Sequence, residues 1–158
     1  MKNTREMLRH AVATVAYRGG KAVRDAPPAF AGFRAGPTSR TAAEILSHIG
    51  DLFDWALTQA KGAEAWHDSD AGAWDATAAR FFRTLAEFDK YLASDQPLNC
   101  PEERLLQGAI ADALTHIGQI AMLRRLAGSP VRGESYAKAD VVIGRIGREQ
   151  SAPRLEFD

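Results

Sequence analysis

Four stretches of the chain carry apolar residues at the three- and four-residue spacing of an amphipathic helix, and no stretch alternates as a half-buried strand would. Each apolar stripe needs an apolar partner, so the chain is committed to packing helix against helix. The first stretch runs from about Asn3 or Thr4 to about Arg24, with Leu8, Ala11, Val12, Val15 and Ala16 on one face. Gly19-Gly20 weakens its later half and Pro27-Pro28 ends it. The second opens at Thr41, with Glu44 three residues on, the spacing of a capping box. It continues through Ile45, Ile49, Leu52, Phe53 and Ala56 to Lys61-Gly62, where glycine suits a left-handed cap. The third spans Ala73 to Ala93, with Phe81, Phe82, Leu85, Phe88 and Leu92 inward. The fourth starts after Asn99-Cys100, takes Pro101 into its first turn, and runs to about Ala127, where Gly128 and Pro130 stop it. These segments predict an all-α four-helix bundle over residues 1–130. A C-terminal extension, 131–158, is expected to pack on the bundle and to carry one short helix around Ala137–Ile146.

The 158 residues suit one domain with its own core. Lysine plus arginine equals aspartate plus glutamate at 20 each, so no basic excess draws the chain to nucleic acid or to an anionic membrane. No run of about 18 apolar residues spans a bilayer, and the opening MKNTREMLRH is charged where a signal peptide is apolar. The single cysteine, Cys100, has no internal disulfide partner, and a cytoplasmic location is expected. Cys100 has no neighbouring histidine in sequence to activate it as a nucleophile.

Two polar residues interrupt the fourth stripe. At 100° per residue, His116 lies roughly 40° from Asp112, with Leu105 and Leu123 at roughly 20°, so both face the expected interior. On the second stretch His48 shares a face with Leu52 at roughly 40° and Ile45 at roughly 60°. A lone buried carboxylate is costly, and a shared cation would relieve it. Positions i and i+4 of one helix converge on one point. With His48 from a facing helix they make an N/N/O ligand set with an open coordination position, suited to zinc, nickel or iron as divalent ions. The plainer alternatives are a structural Asp112–His116 ion pair and a hydrogen-bonded core histidine at His48. His10 is expected in solvent, and His67 with Asp68 and Asp70 would make only a weak surface site. Around the proposed ligands, Gln119 and Trp55 are candidate pocket residues, Arg40 a candidate contact for an anionic substrate, and Tyr136 in RGESYAKAD a candidate lid. Gly118 is expected to let helices approach closely.

The segments SHIGDLFDWAL and DALTHIGQIAMLRRLAG resemble those of the DinB-like (damage-inducible protein B) superfamily, which includes bacillithiol transferase-like and mycothiol-dependent maleylpyruvate isomerase-like proteins. The resemblance covers about Thr4–Pro130. It implies an up-down-down-up bundle with a divalent metal held by a second-helix histidine, matched by His48, and a fourth-helix pair matched by Asp112 and His116. Asp112 stands where many members carry histidine and isomerase-like members carry glutamate. The resemblance further implies a low-molecular-weight thiol cofactor and transfer or isomerisation of a small electrophilic substrate. It leaves the catalytic residues unassigned. The competing expectation is a non-catalytic bundle that binds a metal or small ligand, with a homodimer compatible with either.

Overall fold

The computed structural model describes residues 2–157. Its helices are α1 (Lys2–Val23), α2 (Ala42–Ala60), α3 (Trp74–Ala93), α4 (Glu102–Leu105) and α5 (Ala111–Leu126). A π-helical turn, Leu106–Ile110, joins α4 to α5, so these form one continuous fourth rod. The architecture is all-α, as the four periodic stretches predict. No described helix is long and apolar enough to cross a membrane.

Contacts at opposite ends of the rods give their directions. Arg9 pairs with Asp89 at one end of α1, while Trp74 Nε1 donates to the Val23 carbonyl at the other, so α1 and α3 are antiparallel. Arg80 reaches Ser47 and Asp51, and the Tyr91 hydroxyl reaches the Ala60 carbonyl, so α2 and α3 are parallel. Gly108 lies under Trp55 and His116 beside His48, making α5 antiparallel to α2. Arg124 donates to the Ala22 and Arg24 carbonyls, and Ile117 approaches Gly19, so α5 runs parallel to α1. The bundle is therefore up-down-down-up, with α1 and α2 at diagonal corners. A parallel α2–α3 pair needs a connection that returns along α2. The 19 residues of α2 rise about 28 Å, and the extended residues 61–73 are long enough to cover that distance.

The ends of α2 follow from local chemistry. Thr41 Oγ1 accepts from the Glu44 amide at 3.2 Å and the Glu44 carboxylate accepts from the Thr41 amide at 2.6 Å, the capping box read from the sequence. Losing the threonine oxygen would cost about 1 kcal/mol. At the other end Gly62 takes φ +75°, with its amide on the Gln59 carbonyl and that of Ala63 on Thr58, a Schellman arrangement.

All the apolar residues predicted inward on the second and third stretches are buried, and so are Leu8, Val12, Val15 and Ala16 of the first. Gly19-Gly20 does not break α1. A Cβ on Gly19 would stand 2.5 Å from the Phe81 ring, so this glycine permits close approach of α1 and α3. Gly118 needs no such explanation, because nothing lies within 4 Å of a Cβ placed there.

The extension differs from expectation in detail. Residues 139–146 are not helical, and the short helix is a three-residue 3-10 turn at Tyr136–Lys138. Two short strands absent from the sequence reading, β1 (Gly133–Glu134) and β2 (Glu156–Phe157), pair antiparallel. The extension lies on α1 and α3. Ile146 is buried, Arg148 stacks over Phe82, and Glu134 accepts from the Tyr17 hydroxyl and from Lys21.

Candidate metal centre

His48 projects from the middle of α2 and Asp112 and His116 from the first turns of α5, where these antiparallel helices face each other. The buried line of α5 runs through Ala113, Ile117, Ile120 and Leu123. Asp112 and His116 stand one position before Ala113 and Ile117, which puts them at the edge of the α2–α5 seam. The inward placement expected from the wheel is corrected accordingly. The side chains of His48 and His116 are 17% and 13% exposed, but that of Asp112 is 43% exposed. Water therefore reaches the carboxylate, and the heavy cost of burying a lone charge does not arise.

The three side chains converge. His48 Nε2 lies 3.6 Å from Asp112 Oδ2, and His116 Nδ1 lies 3.2 Å from Asp112 Oδ1. The two imidazole centroids are 4.7 Å apart, and one ligand atom from each of the three residues falls within 4.8 Å of the others. Metal–nitrogen bonds of about 2.0–2.1 Å in a tetrahedral site put ligand atoms roughly 3.4 Å apart, so small side-chain rotations bring these atoms onto one cation. His116 Nδ1 also lies 2.8 Å from the Asp112 backbone carbonyl. The tautomer that donates from Nδ1 to that oxygen offers Nε2 to a metal, and the opposite tautomer offers Nδ1, the nitrogen beside the Asp112 carboxylate. Burial pushes the His48 pKa below its ordinary value, and the nearby Arg40 and His116 act the same way against the opposing Asp112. His48 is thereby held in the neutral form that a metal requires.

The seam is bordered by the α2–α3 connection, in which the sequence singled out only His67, Asp68 and Asp70. Trp66, in the α2–α3 connection, stands 5.6 Å from the His48 ring and edge-on to Trp55 at 5.8 Å. Asp51 and Asp54 receive the Arg80 guanidinium, the Ser69 amide donates to Asp51, and Ser47 donates to the Ser69 carbonyl. That network binds the returning connection to α2 and keeps Trp66 beside the imidazole. The only advance signal is the length of the connection, since tryptophan in a loop carries no periodicity.

The remaining candidates fall in different places. Trp55 and Asp112 border one shallow cleft, and Trp55 Nε1 donates to Glu64. Arg40 borders both the cleft beside His48 and a groove of about 630 Å³ beside His116, to which Gln119 also contributes. Tyr136 is not a lid. It packs edge-on against Tyr17 with the Arg18 guanidinium 4.3 Å above its ring, on the helix diagonal to α2. The reason is electrostatic: Glu134 is drawn to Tyr17 and Lys21, and Tyr136 follows two residues later. Among the described residues, His48, Asp112 and His116 are the only group of three potential ligands close enough for one ion, and His67 with Asp68 and Asp70 does not form a second. Cys100 is half-buried, and burial pushes its thiol pKa up, away from reactivity. No protein-family model, curated protein or solved structure matches the chain.

Proposed function

We propose that this chain binds one divalent transition-metal ion, zinc, nickel or iron, through His48, Asp112 and His116, and presents it to a low-molecular-weight thiol and a small electrophilic substrate. The observation that carries the metal reading is the convergence of three potential ligand atoms from two helices within 4.8 Å. A divalent ion there lowers the pKa of a coordinated thiol and holds it as thiolate near neutral pH. Two neutral imidazoles and one carboxylate leave a divalent centre with one net positive charge, which a single anionic ligand neutralises. Trp66 packs against His48 and Trp55, and clefts open beside both His48 and His116. Transfer or isomerisation is the chemistry implied by the resemblance to the DinB-like superfamily. The balanced charge argues against a nucleic-acid partner, and the single, unpaired cysteine favours a reducing, cytoplasmic setting.

One observation favours a second reading, a metal- or ligand-binding bundle without catalysis. The groove beside His116 is bordered by no carboxylate, thiol or second histidine to serve as general acid or base. Cobalt substitution separates these readings. A tetrahedral cobalt spectrum that intensifies and shifts on adding a small thiol supports the thiol reading. A cobalt spectrum indifferent to thiols leaves the binder, and no cobalt uptake overturns both.

A further inference from the structure

The groove beside His116 has a chemical polarity of its own. Its apolar wall comprises Ile45 of α2 and Met122, Leu123 and Leu126 of α5, with Met122 58% and Leu126 57% exposed. From His116 to Leu126 the helix rises about 15 Å, so the wall extends away from the metal centre along α5. The same groove is bordered by Arg40, the only charged residue on its rim apart from what charge His116 carries. Arg40 is exposed and hydrogen-bonded to nothing among the described residues. Of the acids that share the neighbouring cleft with Arg40, Glu44 is committed to the Thr41 cap, Asp51 to Arg80 and the Ser69 amide, and Asp68 to the Trp66 indole. Gln119 adds an exposed amide to the same rim.

An exposed guanidinium beside an exposed apolar strip is complementary to one class of small molecule. We infer that the groove is a subsite for an amphiphilic monocarboxylate, its anionic head on Arg40 beside the metal centre and its apolar tail along Ile45, Met122, Leu123 and Leu126. Arginine matches a carboxylate with two parallel N–H donors, which gives the head a fixed orientation. The tail covers Met122 and Leu126, which otherwise face water, where they flank the buried Ile45 and Leu123. This names a substrate class for the centre proposed above and rests on that reading only for the ligand's chemical fate. Its binding rests on Arg40 and the apolar wall.

The test is calorimetric titration of the full chain, zinc-loaded and metal-free, with butanoate, hexanoate, octanoate and 1-octanol. Affinity is expected to rise two- to fourfold per methylene, the upper figure corresponding to full burial of the added group. Octanoate should bind about tenfold more tightly than octanol, and Arg40→Gln should erase that difference. Gly118→Leu supplies a second arm. Leucine is the better helix former and meets no atom within 4 Å at its Cβ, so the variant folds while its side chain fills the groove and weakens every ligand. Equal binding of acid and alcohol, or octanoate binding untouched by Arg40→Gln and Gly118→Leu, overturns the inference. So does a dimer in sedimentation that buries Met122 and Leu126 and is indifferent to octanoate. Cobalt uptake is read separately. Protein that takes octanoate through Arg40 but no cobalt overturns the metal reading alone, and cobalt uptake without Arg40-dependent octanoate binding overturns this inference alone.

Discussion

Two of the polar clusters in this apolar bundle are built in opposite ways. On α1, Lys21 is clasped between Glu134 and Glu156 at 2.9 Å each, and the Tyr17 hydroxyl donates to the second Glu134 oxygen at 2.5 Å. Lys21 and Glu134 are almost fully buried, and every strong donor is met by an acceptor. On the α2–α5 seam the closest side-chain contacts of Asp112 are 3.2 and 3.6 Å, longer than good charge-assisted hydrogen bonds. Its carboxylate is exposed, and two imidazoles face it without closing on it. The first cluster satisfies itself and fastens the extension to the bundle. The second gathers potential ligand atoms within 4.8 Å of one another without closing on itself, which is a condition for binding something else. A polar group in a helical interface therefore signals a site only when its own neighbours leave it incomplete.

The comparison is broken most sharply by removing the central cation of the closed cluster. Lys21→Met should lower unfolding free energy in urea by about 3–5 kcal/mol, because Glu134 is left buried without its partner. Metal uptake by the same variant should be unchanged at temperatures where it stays folded. A loss below about 1 kcal/mol would mean that the extension is not held by this cluster.

His116→Ala should act in the reverse sense. Its metal affinity, from competition with a chelating dye, should fall by more than the roughly 10–100-fold typical of losing an outer-shell partner. Its urea midpoint should hardly move. Retained metal content would assign the histidine to the ion-pair reading.

Acid separates the two clusters by pH. The His48 pKa is depressed, so the neutral imidazole is favoured above the ordinary histidine value of about 6.5, and its contribution is lost as pH falls from there through the lowered folded value. Because protons compete with the metal for the imidazoles, metal affinity should fall as pH is lowered. Glu156 is held below its ordinary value chiefly by Lys21, so its contribution is present above about pH 4.3 and disappears only as pH falls through its lower folded value. Lys21 is raised: burial works against its charge, and the two glutamates overcome burial. Its contribution is complete below about pH 10.4 and fades as pH rises through the folded value. At the pH where acid first releases the metal, hydrogen exchange should still show Gly133–Glu134 protected. Simultaneous loss of both would join the clusters into one cooperative unit.

The smallest effect is expected from Asp112→His. The variant should fold with stability within about 1 kcal/mol of the parent, since the position is half-exposed. It should still take up cobalt. The extra positive charge on the centre should then favour anionic thiols, lowering their dissociation constants more than it changes any turnover. A folded variant that takes up no cobalt would mean that this position never faced the ion.

Much of this was legible from residue order alone. The helical period located α1, α2 and α3 to within a residue or two, and the Thr41–Glu44 spacing and Gly62 marked the ends of α2. These features depend on neighbours three or four residues apart, which one sequence displays directly. His48, Asp112 and His116 were likewise visible as polar interruptions of apolar stripes. What the tertiary structure decided was everything that depends on which surfaces meet. The π-helical turn at Leu106–Ile110 left no mark in the periodicity. Asp112 came to the edge of the seam because the packing of α2 on α5, and not the wheel, sets where the stripe ends. Trp66 reached His48 because parallel α2 and α3 force the connection back along α2, and Tyr136 went to α1 because Glu134 found Lys21 and Tyr17 more than a hundred residues away. Local spacing specifies helices and their inward faces through short-range hydrogen bonds and burial. Long-range electrostatics and helix packing choose which loop covers the site and which face stays open, and these act between residues that the sequence alone does not bring together.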